Sequence, residues 1–234
     1  MVLTRDRNFA NGIGLEVQIR TKMVRFWSYI RTAAIRIGDD ILEIEGSPDL
    51  EDREIHYWFN FQYQAETTSI GGFPLKSTTN GVQKRFYEID LSSKYPGQKI
   101  LLKSFREWVA IEFQGSSEEA YGNTVGMLGD YKTGKTLARD GVTAMDDFID
   151  FGNEWQVLPS DDMLFHDIAM PQFPKRCIVP EDPHGDRRRR LEESTVSVED
   201  AEAACRKVLT NSLDIKDCVY DLLATQNLEM VGAF

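Results

Sequence analysis

The chain has 234 residues, of which 41% are hydrophobic, and a formal net charge of −11. That apolar fraction excludes an intrinsically disordered chain, and the length allows one large all-β domain or a β domain with a small appendage. The acidic balance argues against nucleic acid as a partner, because concentrated Lys and Arg are needed to bind a phosphate backbone. No run of about 18 apolar residues is present, so we predict no membrane span.

The first part of the chain alternates apolar and polar residues, as half-buried strands do. This alternation begins over residues 15–20, and residues 35–44 predict a hairpin that turns at Gly38 and Asp39. It is clearest over residues 55–64, where we predict one strand with an apolar and a polar face. Further turns and strands are predicted at 71–72, 80–81, 84–91, 99–104 and 108–114. Short strands at this spacing predict a mainly β fold, an antiparallel sandwich or barrel-like domain.

The composition changes after residue 158. Residues 159–196 contain several prolines and a run of arginines, which together predict a linker. From residue 197 the apolar spacing becomes that of helices. The chain is therefore predicted to contain a β domain over residues 1–158, a linker over 159–196 and a small helical hairpin over 197–234.

Both predicted helices have a cysteine on their apolar side. Ser197 and Asp200 have the spacing of a capping box at the start of the first helix. Cys205 and Cys218 fall on the apolar stripes of the two helices, so stripes that face each other bring the two sulfurs together. We favour a disulfide between them, and two buried reduced thiols are the alternative. Cys177 is then free, or pairs with another chain or with a segment outside this one.

The most concentrated charge in the sequence is the run Arg187, Arg188, Arg189 and Arg190. Three interpretations stay open. The run is a cleavage site for a furin- or kexin-like processing protease, or a patch for an anionic surface such as silica, acidic polysaccharide or lipid headgroups, or a solvated charge run. We favour processing, because such proteases bind basic residues in an extended segment.

The sequence contains no arrangement of residues that predicts catalysis. Neither a G-x-S-x-G motif nor a P-loop is present. His56, His166 and His184 are scattered and lack the H-x-x-x-H or C-x-x-C spacing of metal sites. We therefore expect a protein that is not an enzyme and has no catalytic residue.

Three segments near the end of the predicted β domain carry a resemblance to a known family. They are Gly126-Met127-Leu128-Gly129-Asp130-Tyr131, Ala138-Arg139-Asp140-Gly141 and Phe151-Gly152-Asn153-Glu154-Trp155-Gln156-Val157. In their order and separation they resemble the end of a von Willebrand factor type D domain, and the likeness covers roughly residues 8–158. Residues 217–221 are similar to the Cys-bearing helical region that follows such domains. The whole arrangement resembles type D domain proteins of diatoms and related algae.

The same segments also have a physical interpretation. Gly126 and Gly129 permit a tight backbone bend after a strand. Trp155, which follows Gly152 and Asn153, alternates inward with its neighbours, and we predict that it is a core residue.

The sequence departs from the family pattern in three places, one of which is a shorter acidic loop with Lys132 and Lys135 where the family has acidic or amide residues. The opening G-D-P-H strand of type D domains is absent at the N-terminus, and Leu128 stands where the family has a cysteine. Asp182-Pro183-His184 resembles part of the family's self-cleavage site, but it lies in the predicted linker. We expect no autocleavage there, because a flexible linker does not hold a peptide bond under strain.

The resemblance implies a structural Ca²⁺ in the loop that closes the domain. The candidate ligands are Asp130, Asp140, Asp146 and Asp147. Calcium takes about six to eight oxygen ligands, several of them carboxylates. Two lysines of the same loop add positive charge, so a solvated acidic turn is favoured over calcium.

The resemblance implies a non-enzymatic extracellular module of adhesion, matrix or cell-surface type. We expect its partners to be other extracellular or matrix proteins or polysaccharide, with covalent oligomers through Cys177. Residues 1–9 are charged and do not form a signal peptide, so we expect the chain to be part of a longer secreted protein. The alternative is a β-sandwich carbohydrate-binding protein or glycan-acting enzyme with its site in strand-end loops.

Overall fold

The structure is a computed structural model that describes residues 1–24, 27–47, 54–80, 84–115, 117–167, 196–225 and 227–234. It divides the chain into two compact units. One is Met1–Lys22 with Tyr29–Ile178, and the other is Met23–Ser28 with Val179–Phe234.

Two antiparallel sheets make up most of the first unit, which confirms the predicted mainly β sandwich. The six-stranded sheet runs in sequence order and contains β1 (Val2–Asp6), β2 (Leu15–Val24), β3 (Trp27–Ile37), β4 (Asp40–Glu45), β5 (His56–Phe59) and β6 (Gln62–Tyr63). The five-stranded sheet has the order β11-β10-β9-β8-β7 and contains β7 (Ser69–Ile70), β8 (Phe73–Thr79), β9 (Lys84–Asp90), β10 (Lys99–Phe105) and β11 (Trp108–Gln114). Three short helices lie between or after the strands of this unit, α1 (Phe9–Gly12), α2 (Glu118–Tyr121) and α3 (Phe148–Glu154).

The main core lies between the two sheets. Val17, Ile35 and Ile44 enter it from the six-stranded sheet, and Ile89 and Leu102 enter it from the five-stranded sheet. All five are fully buried. Because burial of one such side chain contributes roughly 1.5–3 kcal/mol, the alternation of apolar residues determines which face of each strand is inside.

The strand predicted over residues 55–64 is wrong, because the chain reverses within it. Strands β5 and β6 form a hairpin in which Trp58 pairs with Tyr63. The turn residues Asn60 and Phe61 have φ values of 48° and 64°, as in the primed hairpin turns. Asn tolerates this left-handed conformation, and its side-chain oxygen accepts a hydrogen bond of 2.8 Å from the backbone N–H of Ile41. The turn contains no glycine, so the sequence gives no strong signal for it.

Strand β2 is buried on both faces, although the sequence predicts a half-buried strand. Glu16 is 3% exposed and Gln18 is fully buried. Residues 158–167, which we call the covering segment, lie over this outer face of the sheet. The sequence places the start of a linker at residue 159, but Leu164 and Phe165 are buried against apolar residues of β3 and β4.

The second unit contains the two predicted helices, α4 (Val198–Cys205) and α5 (Ser212–Thr225), followed by a 3₁₀ helix (Leu228–Ala233). Ser197 caps α4, since its Oγ accepts a hydrogen bond of 3.0 Å from the backbone N–H of Asp200. Cys205 and Cys218 are fully buried and form a disulfide with their Cα atoms 6.0 Å apart, which confirms the predicted link. Among the described residues, no helix has the length and apolar character needed to cross a membrane.

Replacement of both cysteines, Cys205→Ser with Cys218→Ser, is expected to destabilise the helical unit by about 3 kcal/mol. The disulfide closes a loop with a sequence separation of 13 residues, and the open chain regains that conformational entropy when it unfolds. Hydrogen exchange of the amides of α4 and α5 measures the change. Cys177→Ser is the control, because it removes a thiol and leaves the disulfide in place. Equal exchange rates in the double variant and the parent chain would contradict the prediction.

Candidate functional site

The segment that begins at Gly126 lies directly against the first strand. Val125 and Arg5 exchange two backbone hydrogen bonds, of 2.9 and 2.7 Å. Gly126 has a φ of +148°, and a Cβ atom there would lie 2.5 Å from the carbonyl oxygen of Leu3. A glycine is therefore required for the two backbones to approach this closely. Gly129, with a φ of +81°, then turns the chain away.

Residues around Gly152 and Asn153 are helical, so the extended alternation predicted near Trp155 is wrong. Asp147 explains the difference, because its carboxylate caps α3 and accepts hydrogen bonds of 2.8 and 2.9 Å from the N–H groups of Ile149 and Asp150. Gly152 lies inside α3 in open space. The side chain of Asn153 accepts a hydrogen bond from the Gln156 amide at 2.8 Å.

Trp155 is a core residue, as predicted, and is only 1% exposed. Its backbone oxygen accepts a hydrogen bond of 2.8 Å from the N–H of Val2 in β1. Its indole N–H donates to the carbonyl oxygen of Leu137 at 2.9 Å, so the buried indole has a partner. Trp155 therefore joins the end of α3 to the first strand and to the loop before Arg139.

Arg139 joins the second of the family-like segments to the third. Its Nε donates to the carbonyl oxygen of Glu154 at 2.6 Å, and its Nη2 donates to the carbonyl oxygen of Gln156. Its guanidinium also lies 5.5 Å from the ring centroid of Trp155. A cation at the end of α3 complements the unpaired carbonyl groups of a helix C-terminus.

A chain of alternating charges runs from Arg139 across the covered face of the sheet. Nη1 of Arg139 lies 2.9 Å from both carboxylate oxygens of Asp161, and Arg5 donates to Asp161 at 3.1 Å. Arg5 also donates to Glu16 at 2.7 Å, and Arg36 donates to Glu16 at 2.8 Å. The side chains of Glu16 and Asp161 are 4% and 8% exposed, so two nearly buried carboxylates each share two guanidiniums. Such sharing offsets the loss of hydration.

The pKa of Asp161 is lowered by this arrangement. Partial burial opposes ionisation, but the hydrogen bonds from Arg139, from the Leu158 N–H and from Arg5 outweigh it and hold the pKa of Asp161 below its usual range. The carboxylate is therefore ionised at neutral pH.

A second contact of the covering segment is the pair Glu43 and His166. The backbone N–H of His166 donates to Glu43 at 2.8 Å, and its ring Nδ1 lies 3.0 Å from the same carboxylate. The imidazole stacks on Trp58 with the ring centroids 3.8 Å apart. The Glu43 side chain is 1% exposed, and this burial raises its pKa although the bonds from His166 oppose the rise.

Glu43, His166 and Asp167 form a group of three potential metal ligands, whose donor atoms lie within 4.8 Å of one another. Each donor is already paired, however. Arg20 forms an ion pair with Asp167, and the imidazole is bonded to Glu43. A guanidinium at this position places positive charge where a cation would bind. The donor set therefore fits a hydrogen-bonded ion-pair cluster better than a metal centre.

The four candidate calcium ligands are Asp130, Asp140, Asp146 and Asp147. Three of them cap a turn or a helix. The first two each accept a backbone N–H at 2.8 Å from a threonine three residues later, Asp147 caps α3, and Asp146 is exposed. Within the described ranges no three of them come within 4.8 Å of one another. Calcium at these residues stays a prediction.

Several predicted features lie outside the described residues. These are Cys177, the tripeptide at 182–184 and the run Arg187, Arg188, Arg189 and Arg190. The predictions for them stand as they were made from the sequence.

Sequence reasoning did not identify the residues that hold the covering segment in place. Glu43 gives a weak signal, because it is a lone charge in the apolar run at 41–44. Its partner His166 is 123 positions away, and Asp161 is 156 positions from Arg5. Contacts over such separations leave no local pattern in one sequence.

Comparison with known proteins finds no matching family model and no matching curated protein.

Gly126→Ala is expected to lower the free energy of unfolding by more than about 1 kcal/mol, because the new methyl group would contact the Leu3 backbone and the positive φ is strained. Gly152→Ala is the matched control. It lies in α3 with open space around it, so alanine is expected to raise stability by up to about 1 kcal/mol. Urea denaturation of both variants measures the difference, and the same sign in both would contradict the interpretation.

Asp161→Asn is expected to destabilise the first unit by roughly 3 kcal/mol at neutral pH, because it removes the nearly buried carboxylate that Arg5 and Arg139 share. Arg5 keeps Glu16 as a partner, whereas the largely buried guanidinium of Arg139 loses this ion pair. Asp162→Asn is the control, since that side chain is 77% exposed and its pair with Arg36 contributes at most about 1 kcal/mol.

The loss of unfolding free energy caused by Asp161→Asn is also expected to depend on pH. A lowered pKa means that the carboxylate stabilises the folded state above pH 3.8, its ordinary pKa, and that this contribution is lost as the pH falls through the lowered value. The free energies of unfolding of the variant and the parent chain, measured by denaturation at a series of acid pH values, should therefore converge as the pH falls. A difference in unfolding free energy that stays constant with pH would show that the charge of Asp161 is not the cause of the destabilisation.

Proposed function

We propose that the chain is a non-enzymatic extracellular interaction module, of adhesion or matrix type, built on a β domain of the von Willebrand factor type D kind. The disulfide between Cys205 and Cys218 is the observation that carries this proposal. Disulfides persist in oxidising environments such as the cell surface and the extracellular space, and they are rare in the cytosol.

The geometry of the closing segments supports the family part of the proposal. Gly126, Arg139 and Trp155 come from three motifs that are separated in sequence. Gly126 and Trp155 lie against the first strand, and Arg139 donates to the carbonyl oxygen of Glu154, next to Trp155. A module held together in this way presents the outer face of its five-stranded sheet as a rigid surface for partners, because the covering segment lies over the outer face of the other sheet.

The expected partners are other extracellular or matrix proteins or polysaccharide. Covalent oligomers through Cys177 and proteolytic processing after Arg190 belong to the same proposal. A carbohydrate-binding protein is the second candidate. A shallow cleft on the outer face of β8, β9 and β10 favours it, and an extracellular protein could have this function too.

The proposal is tested by the thiol state of the protein as cells make it. Intact cells or medium are treated with an alkylating reagent before lysis, and the chain is then analysed by intact mass with and without reductant. The chain contains three cysteines. We expect Cys205 and Cys218 to be protected until reduction, and Cys177 to be alkylated or to link two chains.

The same spectra report processing, because cleavage after Arg190 gives a fragment of defined mass. Cys205→Ser is the matched control, since it must release Cys218 for alkylation without reductant. A chain found only inside the cell with all three thiols alkylated would overturn the extracellular assignment.

A further inference from the structure

The outer face of the five-stranded sheet contains a shallow cleft of about 260 Å³ over its three middle strands. The residues that line it include Lys76, Thr78, Phe86, Glu88, Leu101 and Lys103. On each strand the buried residues alternate with these positions, so the lining side chains point away from the core.

The strand register determines which side chains are neighbours in the cleft. Phe86 of β9 is paired with Thr78 on one side and with Lys103 on the other. Two residues further along, Glu88 is paired with Lys76 and with Leu101 in the same way. The half-buried Phe86 and Leu101 are therefore diagonal neighbours. Lys103 is the strand partner of Phe86, and Lys76 is separated from Leu101 by Glu88. The two lysines belong to strands about 10 Å apart, two strand spacings.

The basic character of the cleft extends to its neighbours. The ammonium of Lys84 lies 4.9 Å from the ring centroid of Phe86 and 5.9 Å from that of Phe105. Burial and then the charge of Lys103 lower the pKa of Lys84, as expected for ammonium groups that lie close together. Concentrated cations in a chain of net charge −11 indicate a surface that complements an anion.

Acidic neighbours do not block the cleft. Lys103 pairs with Glu112 at 2.7 Å and Lys99 pairs with Glu88 at 2.9 Å. The glutamate side chains are 42% and 38% exposed, and those of Lys103 and Lys99 are 24% and 36% exposed. Water therefore reaches the carboxylates and screens both pairs, so each contributes little stability. A ligand carboxylate or sulfate can therefore replace the glutamate as the partner of the lysine.

We propose that this cleft binds an anionic polysaccharide, with a sugar ring packed on Phe86 and Leu101 and its carboxylate or sulfate group held by Lys76 and Lys103. This inference rests on the proposed extracellular function. The apolar floor suits the C–H face of a pyranose ring, and the lysines and Thr78 suit its charged group and hydroxyls. A peptide added as a strand does not fit, because both neighbours of β9 already occupy its backbone groups.

Calorimetric titration of the full chain tests the proposal, in the presence of a chelator that prevents bridging by calcium. The probes are polygalacturonate and dextran sulfate, with neutral dextran and polyglutamate as controls. We expect at least one anionic polysaccharide to bind, and dextran and polyglutamate to bind at least about tenfold more weakly. Comparable binding of polyglutamate would overturn the proposal, because charge alone would then explain the affinity.

Variants locate the site. Lys76→Gln with Lys103→Gln is expected to weaken binding about tenfold or more, whereas Lys94→Gln, an exposed lysine in the turn after β9, is expected to have no effect. Phe86→Leu keeps an apolar side chain and removes the flat ring, so a severalfold loss is expected. Unchanged affinity of the double lysine variant would show that the polysaccharide does not bind in this cleft. An oxidised, secreted chain that binds neither polysaccharide would overturn this inference and leave the proposed function standing.

Discussion

Charged and amide side chains on the outer face of the six-stranded sheet are buried, and the covering segment provides their hydrogen-bond partners. The Gln18 amide donates to the carbonyl oxygen of Asp162 at 2.7 Å and accepts from the N–H of Leu164 at 3.2 Å. Glu43 is satisfied by His166 in the same way. Each buried polar group left without a partner costs roughly 1–3 kcal/mol, so the sheet and the segment stabilise each other.

The same constraint explains why the end of the β domain is built around Arg139. One guanidinium contacts the end of α3, the Trp155 ring and the covering segment through Asp161. The closing motifs, the first strand and the covered face therefore form one polar network. The five-stranded sheet lies on the other side of the core, and the residues that line the cleft on its outer face belong to none of these contacts, so binding there does not require this network to rearrange.

The sequence predicts much of the architecture because apolar periodicity is a local property. The strands at β2, β9, β10 and β11, the turn at Gly38 and the two cysteine-bearing helices all follow from it. Where prediction failed, a local signal was missing or a local polar contact decided the structure. Asn60 and Phe61 reverse the chain without a glycine. Asp147 caps a helix where the alternation predicted an extended segment. The network of the covering segment could not be predicted, because its pairs join residues far apart in the chain.

The position of the disulfide decides what a cut in the chain would do. Both of its cysteines follow Arg190, and the third cysteine, Cys177, precedes that arginine. No cross-link between cysteines of this chain therefore bridges the arginine run. Here a single hydrolysed peptide bond would leave two polypeptides with no covalent connection within the chain, and only non-covalent affinity or a bond to another molecule could keep them associated.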